Sequence, residues 1–134
     1  MFLQFFQQLF CFFLHVGETG SFRKPLRREE EQACFEALAA GDRSAREKLI
    51  LHNMRLVAHV IKKYGMPQPE QEELISIGTV GLVKAVDSFD CTKGARFATY
   101  ASKCINNEIL MNFRSQKKHA DQIYMGEPIE TDGD

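Results

Sequence analysis

Cysteine and histidine are scarce in this sequence, with four of each among 134 residues. The cysteines at positions 11, 34, 91 and 104 form no Cys-x-x-Cys pair, and none has a histidine at the spacing of a metal ligand. This pattern indicates neither a zinc site nor a disulfide framework. No histidine has a nearby Ser or Cys and an acid at the spacing of a nucleophilic site. We therefore expect no enzymatic activity, no metal and no other cofactor.

The sequence also lacks strand signals, since no alternation of apolar and polar residues persists along it. Stretches of helix-forming residues between Gly and Pro predict an all-α fold, a bundle of about four helices. A length of 134 residues leaves room for one domain and a short appendage. We expect a hydrophobic leader over 1–20, a helical domain over 21–120 and an acidic, flexible tail over 121–134.

Two glycines are unusual inside a predicted helix. Asp42 can cap the second of the four predicted helices, and Gly41 ends the first. Gly78 and Gly81 fall inside the third, although each costs ~1 kcal/mol relative to Ala in a helix interior. Close approach of another helix would explain them, and a kink is the alternative. The four predicted helices cover approximately 26–40, 42–64, 71–88 and 96–118.

Charge is absent from the side chains of the first sixteen residues, which hold six of the eleven Phe. Drawn as a helix, this segment places Gln and His on one stripe and Phe and Leu around the rest, so it is amphipathic. At ~1.5 Å per residue it would reach ~24 Å, short of the ~30 Å hydrocarbon core of a membrane. We expect it to lie in the membrane interface or in a hairpin, and packing against the helical core is the alternative. A secretory signal is disfavoured because a basic start and a small-residue cleavage site are both missing.

Residues 17–25 are rich in Gly and small residues and end in Pro. Such a composition predicts a linker that a protease can enter. We expect processing at Gly20 and Ser21, which would separate the leader from the helical domain.

The charged residues are segregated along the sequence. Residues 70–90 carry five acids against one base, Lys84, whereas residues 93–118 carry six Lys or Arg against one acid, Glu108. Phe89, Phe97 and Tyr100 lie in or beside the start of the basic stretch. Positive charge interleaved with aromatic rings is typical of a surface that binds single-stranded nucleic acid, where base stacking is worth ~1–3 kcal/mol per base. The alternative is that Phe97 and Tyr100, with Ile105 and Ile109, form the buried stripe of an amphipathic helix.

The sequence resembles, in three ordered blocks, the second conserved region of the bacterial RNA polymerase sigma factors of the sigma-70 family. The blocks are NMRLV at 53–57, ELISIGTVGLVKAVDSFD at 73–90 and KGARFATYASKCINNEI at 93–109, and the resemblance extends over about 26–120. The third block and the Phe-rich leader are most similar to sporulation members of the family. Those members are made as inactive pro-proteins with a hydrophobic leader. The resemblance therefore implies a cytoplasmic protein whose unprocessed form is associated with a membrane.

The resemblance implies that the third helix docks on the clamp helices of the polymerase β′ subunit. Acidic residues on this helix suit a partner surface that bears Arg. The polymerase-binding residues implied by position are Met54, Val57, Glu73, Ile77, Gly78, Thr79 and Val83.

The resemblance also implies that the basic, aromatic stretch opens promoter DNA and captures a flipped adenine of the single-stranded minus-ten element. Asn107 and Leu110 fall where the family reads the upstream base pair of that element, and Asn offers a donor and an acceptor to a base edge. Housekeeping members carry Trp where this sequence has Lys103 and Cys104, which implies a weaker wedge and a different promoter set. The DNA-binding residues implied are Phe89, Lys93, Arg96, Phe97, Thr99, Tyr100, Lys103, Asn107, Leu110 and Arg114.

We thus expect a sigma-factor fragment that stays silent until proteolysis removes its leader. Its expected partners are core RNA polymerase, promoter DNA, a membrane surface and a processing protease. The helix-turn-helix with which the family reads the minus-thirty-five element has no counterpart here, so we interpret the sequence as an N-terminal half. The alternative is an interaction protein that binds polymerase without initiating transcription. A repressor of helix-turn-helix type is less favoured, since no short turn joins two helices with a recognition face.

Overall fold

The computed structural model describes residues 22–126, together with Leu3, Gln4 and Gln7, which are helical and exposed. The regular elements of 22–126 are all helical, which confirms the predicted all-α fold. The chain divides into two compact units, one up to Arg55 and one from Leu56. The helices are α1 (Arg28–Ala39), α2 (Arg43–His52), α3 (Met54–Lys62), α4 (Gln68–Ser88), a short 3-10 helix (Cys91–Lys93) and α5 (Phe97–Gly126).

The first unit is built from α1 and α2, which pack against each other. Glutamates fill the first turn of α1, where the partial positive charge of a helix N-terminus favours acids. Gly41 follows α1 with a φ of +95°, a conformation that favours glycine. The buried apolar side chains of the two helices are Cys34, Phe35, Ala45, Leu49 and Ile50.

Asp42 caps α2, as predicted. Its carboxylate accepts hydrogen bonds from Ser44 Oγ at 2.7 Å and from the Ser44 backbone N–H at 2.9 Å. The Ser44 hydroxyl and then its backbone N–H hold the pKa of Asp42 below its ordinary value. The carboxylate therefore stays ionised at a helix end where negative charge is favoured.

The prediction of one continuous helix from Asp42 to Tyr64 was wrong, because Asn53 divides it into α2 and α3. The buried Asn53 side chain donates from Nδ2 to the Leu49 carbonyl oxygen at 2.7 Å. Its backbone N–H donates to the Ile50 carbonyl oxygen at 3.2 Å. This bond spans three residues rather than the four of a regular α-helix, so the turn is tighter. Asn side chains compete in this way for the hydrogen-bonding groups of a helical backbone, and the regular helix ends where they do so.

The second unit is dominated by α4 and α5. Pro67 and Pro69 stand at the start of α4, where the missing N–H of proline has no helical partner to lose. After the 3-10 helix, Gly94 turns the chain with a φ of +74°. α5 then continues to Gly126, beyond its predicted end near Lys118. Residues 127–134 of the expected tail lie outside the described residues.

Gly78 and Gly81 lie where neighbouring helices approach closely, which confirms the packing interpretation. A methyl group at Gly81 would lie 2.7 Å from Ile105 Cα and 2.9 Å from the Cys104 carbonyl oxygen, both of them backbone atoms of α5. A methyl group at Gly78 would lie 2.9 Å from Val57 Cγ1. At both positions the absence of a side chain lets the elements approach each other.

The core of the second unit lies where α3, α4 and α5 meet around these glycines. Burying a Val, Leu, Ile or Phe side chain stabilises the fold by ~1.5–3 kcal/mol relative to leaving it exposed. The buried apolar residues are Val57, Val60, Ile61, Leu74, Leu82, Ala85, Val86, Phe97, Ala101, Ile105 and Ile109.

Most of the predicted leader and both predicted processing residues, Gly20 and Ser21, lie outside the described residues. Among the described helices, none is both long enough and apolar enough to cross a membrane. From Phe22 onward the segment preceding α1 is described. There the Lys24 carbonyl oxygen accepts a hydrogen bond from His52 Nδ1 at 2.8 Å, which attaches the segment to α2.

Replacing Gly81 by Ala tests the close approach of α4 and α5. We expect Gly81→Ala to lower the free energy of unfolding by about 1–3 kcal/mol, the usual cost of overpacking, because backbone atoms of α5 cannot move aside singly. This loss should appear even though Ala favours helix by ~1 kcal/mol over Gly. Urea unfolding followed by circular dichroism measures the change.

The matched control is Gly126→Ala at the end of α5, where an added methyl group meets no atom within 4 Å. Its free energy of unfolding should stay within about 0.5 kcal/mol of the unsubstituted protein, as for ordinary surface changes. An unchanged or increased stability of Gly81→Ala would contradict the described packing.

Candidate functional site

One face of α5 carries most of the residues expected to bind DNA. They recur every three or four positions, so they lie on a single side of the helix. From Arg96 to Arg114 this face extends over ~27 Å at 1.5 Å per residue. Leu110 is half-buried, and the other members of this basic face are exposed: Arg96, Thr99, Lys103, Asn107 and Arg114. Lys93, which is also exposed, precedes them in the 3-10 helix.

The three aromatic residues form one cluster but differ in exposure. The Phe89 ring centroid lies 5.2 Å from that of Phe97, edge to face, and 5.5 Å from that of Tyr100. Phe97 is only 2% exposed and belongs to the core, as the amphipathic alternative expected. Phe89 and Tyr100 are half-buried, so both retain accessible ring surface. The cluster therefore combines a core anchor with two partly exposed rings.

The turn before α5 is held by Asp90. Its carboxylate accepts from Thr92 Oγ1 at 2.6 Å and from the Thr92 backbone N–H at 2.9 Å. The Thr92 hydroxyl, followed by the backbone N–H, holds the pKa of Asp90 below its ordinary value. An ionised Asp90 thus fixes the connection that delivers Lys93 and Arg96 to the basic face.

The exceptions to the charge segregation pair with each other. Lys84, the single base of 70–90, lies 3.0 Å from Glu108, the single acid of 93–118. This ion pair joins α4 to α5, and the Lys84 side chain is 59% exposed, so its contribution to stability is small. Its consequence is electrostatic: the only acid within the basic stretch is occupied by a partner on the neighbouring helix.

The outer face of α4 carries the exposed part of the expected polymerase-binding set. Glu73 is exposed, and Ile77 and Val83 are half-buried. Val80 is 47% exposed on the same side, one turn beyond Ile77. Val80 was not included in the expected set, because its exposure depends on the neighbouring helix. The acids Glu70 and Glu72 are exposed nearby at the start of the helix.

The other expected polymerase-binding residues have buried side chains or none. Thr79 is 4% exposed, and its Oγ1 donates to the Ile75 carbonyl oxygen at 2.6 Å. Gly78 is buried against Val57, as described above. Val57 is fully buried, and Met54, in the first unit, is 2% exposed. These four positions pack inside their units. The surface formed by Glu73, Ile77, Val80 and Val83 is called the α4 face.

A shallow groove of about 250 Å³ lies between α4 and α5 beside the α4 face. The Lys84–Glu108 ion pair marks one end of this region, and a hydrogen bond from Gln116 Nε2 to Glu73 Oε1 at 3.5 Å marks the other. Met111, which is 54% exposed, was also missed by the sequence reasoning. The lining residues are Ile77, Val80, Glu108, Met111 and Asn112.

The described residues contain no group of three His, Cys, Asp or Glu side chains that could hold a metal ion. Cys34, Cys91 and Cys104 are free thiols. The described residues present two unlike surfaces, one apolar with acids at the start of α4 and one basic with aromatic rings.

Comparison with known proteins identifies the class. The family described as Sigma-70 region 2 matches residues 49–119, which include the α4 face, the aromatic cluster and the basic face. The chain therefore belongs to the sigma-70 family, through its region 2, and this confirms the resemblance inferred from the sequence.

Individual RNA polymerase sigma factors of Bacillus and Clostridium are similar to most of the chain. The RNA polymerase sigma-28 factor of Bacillus thuringiensis subsp. kurstaki is 43% identical over 126 residues, 94% of this chain and 53% of that protein. The RNA polymerase sigma-K factor of Bacillus subtilis is 45% identical over 100 residues, 75% of this chain and 34% of that protein. The RNA polymerase sigma-E factor of Clostridium acetobutylicum is 42% identical over 120 residues, 90% of this chain and 51% of that protein. The chain thus spans about half, or less, of the length of these relatives.

Proposed function

We propose that this chain is the region 2 part of a sporulation-type sigma factor, which attaches to core RNA polymerase and engages the minus-ten element of promoters. The observation that carries the proposal is the pairing of two unlike surfaces on neighbouring helices. The α4 face is apolar with acids at its start, and the basic face of α5 follows an aromatic cluster. A factor that must hold a protein and a DNA strand at once needs two such surfaces.

The α4 face is proposed to dock on the clamp helices of the polymerase β′ subunit. Ile77, Val80 and Val83 supply apolar contact, and Glu73 supplies charge at the rim. Acidic side chains at the edge of an interface select a basic partner and set the register of docking. The buried positions Val57, Gly78 and Thr79 support this face from within rather than contacting the partner through their side chains, and the Met54 side chain is buried within the first unit.

The basic face is proposed to bind the non-template strand of the minus-ten element. Lys103 and Arg114 would neutralise phosphates along the strand, while Tyr100 and Phe89 would receive an unstacked adenine. Flipping a base costs a few kcal/mol, which stacking and pocket contacts must offset. Asn107 and Leu110 lie farther along the same face and are proposed to read the upstream base pair.

The leader is proposed to attach the unprocessed protein to a membrane surface, so that the cytoplasmic factor stays silent until a protease cuts near Gly20 and Ser21. Support comes from the sequence, whose first sixteen residues combine six Phe with no charged side chain. The structure supports the position of the cut, because the chain is attached to α2 at Lys24, beyond Ser21. Cleavage near Ser21 would leave that attachment in place.

Glu73→Arg tests the polymerase-binding proposal. We expect the affinity of the full chain for core RNA polymerase to fall about tenfold or more, because a like charge is placed against a basic partner surface. Glu29→Arg makes the same change of charge on α1, where Glu29 is exposed, and should bind as the unsubstituted chain does. Fluorescence anisotropy of labelled chain against core polymerase measures both affinities.

A fluorescent single strand with the minus-ten sequence provides the second readout in the same experiment. Chain bound to polymerase should capture the strand, and Tyr100→Ala should bind polymerase normally but lose capture. Polymerase binding without capture by the unsubstituted chain would instead indicate an interaction protein that does not initiate transcription. Equal polymerase binding by Glu73→Arg and Glu29→Arg would refute the proposed α4 interface.

Replacing the six leader Phe by Ser tests membrane attachment. Each buried apolar side chain contributes ~1 kcal/mol or more to membrane binding. The substitution should therefore lower the affinity of the full chain for lipid vesicles, measured by flotation, at least a hundredfold. Replacing Gln4, Gln7 and Gln8 by Ser is the matched control, and it should leave flotation unchanged. If the Phe variant floats as well as the control, the leader has no membrane-attaching role.

A further inference from the structure

Ser88, the last residue of α4, joins that helix to the first turn of α5. Its Oγ lies 2.7 Å from the Tyr100 hydroxyl oxygen and 2.7 Å from the Lys84 carbonyl oxygen. Ser88 is exposed and Tyr100 is half-buried, so neither hydroxyl is part of the core. The two hydrogen bonds therefore connect the end of one helix to an aromatic side chain of the next.

The donors in this arrangement follow from the number of protons. The Lys84 carbonyl oxygen can only accept, so the single hydroxyl proton of Ser88 is used in that bond. Ser88 Oγ must then accept, and the Tyr100 hydroxyl must donate to it. The phenol of Tyr100 is thus tied to the backbone of the last turn of α4 through one serine.

A second contact holds the ring of Tyr100 from the side. The Phe89 ring lies 5.5 Å from it at an interplanar angle of 41°, and Phe89 in turn rests edge to face on the buried Phe97. An unconstrained tyrosine turns about its side-chain bonds between several rotamers. With its hydroxyl on Ser88 and one side on Phe89, the Tyr100 ring is held at two points before any ligand arrives.

We propose that Ser88 is a positioning residue, which presents the Tyr100 ring in the orientation that receives an unstacked base. This inference rests on the proposed binding of the minus-ten strand. A ring that is already ordered loses less rotational freedom on binding, so the strand binds more tightly. Ser88 acts only through the Tyr100 hydroxyl and does not itself contact DNA.

The test uses the full chain bound to core polymerase and a fluorescent single strand with the minus-ten sequence. Ser88→Ala should weaken strand capture about two- to tenfold, the range expected for one hydrogen bond. Tyr100→Phe should show the same loss, although it keeps the stacking ring. The double variant should be no weaker than either single variant, since both remove the same bond. Ser88→Thr, which keeps the hydroxyl, should restore capture.

Polymerase affinity and the midpoint of urea unfolding should stay unchanged in Ser88→Ala, because the side chain is exposed. Three results would overturn the inference: additive losses in the double variant, full capture by Ser88→Ala, or a loss of stability that parallels the loss of capture. Tyr100→Ala distinguishes a failure of the proposed Ser88 role from a failure of the proposed DNA binding. If it loses capture while Ser88→Ala does not, only the role of Ser88 fails. If it also retains capture, the DNA-binding proposal fails and the role of Ser88 fails with it.

Discussion

The backbone contact between α4 and α5 at Gly81 sets the geometry on which the α4 face, the aromatic cluster and the basic face depend. A side chain there would meet Ile105 Cα at 2.7 Å, so only glycine allows this separation of the helices. The contact fixes one register of the two helices. In this register Lys84 pairs with Glu108, and farther from Gly81 along the helices Gln116 donates a hydrogen bond to Glu73. A shift of either helix would break both bridges and displace the aromatic cluster. The surfaces are therefore positioned by packing, and the polar bridges follow from it.

The net charge of −1 conceals acidic and basic stretches, and this register brings them together on adjacent helices. Residues 70–90 carry five acids and residues 93–118 carry six Lys or Arg, and each stretch contributes its single exception to the Lys84–Glu108 pair. Opposite fields on adjacent helices would attract a basic protein and a nucleic acid to different sides of one unit. The aromatic cluster lies at the end of the pair where the two helices are joined.

Helix content, the Asp42 cap and the meaning of the internal glycines could be predicted from the sequence, because each depends on local propensity or on a steric cost that needs compensation. The division at Asn53 could not, since one buried side-chain hydrogen bond decided it. The exposure of individual side chains within the candidate site could not be predicted from the sequence either. Phe97 and Tyr100 are three residues apart on one helix, yet one is buried and the other half-exposed, and only the neighbouring helices distinguish them. The same limit applies to Val57 and Thr79, which are buried, and to Val80 and Met111, which are exposed beside the groove.

Hydroxyl-radical footprinting of the full chain tests the central claim most directly, because it reports the exposure of individual side chains. Core polymerase alone should protect Ile77 and Val80, and added minus-ten strand should then protect Tyr100 and Leu110. Tyr124, which is 82% exposed near the end of α5, serves as a reference that stays reactive. Protection of the basic face by polymerase, or continued reactivity of the α4 face in the complex, would contradict the assignment of two partners to these two helices.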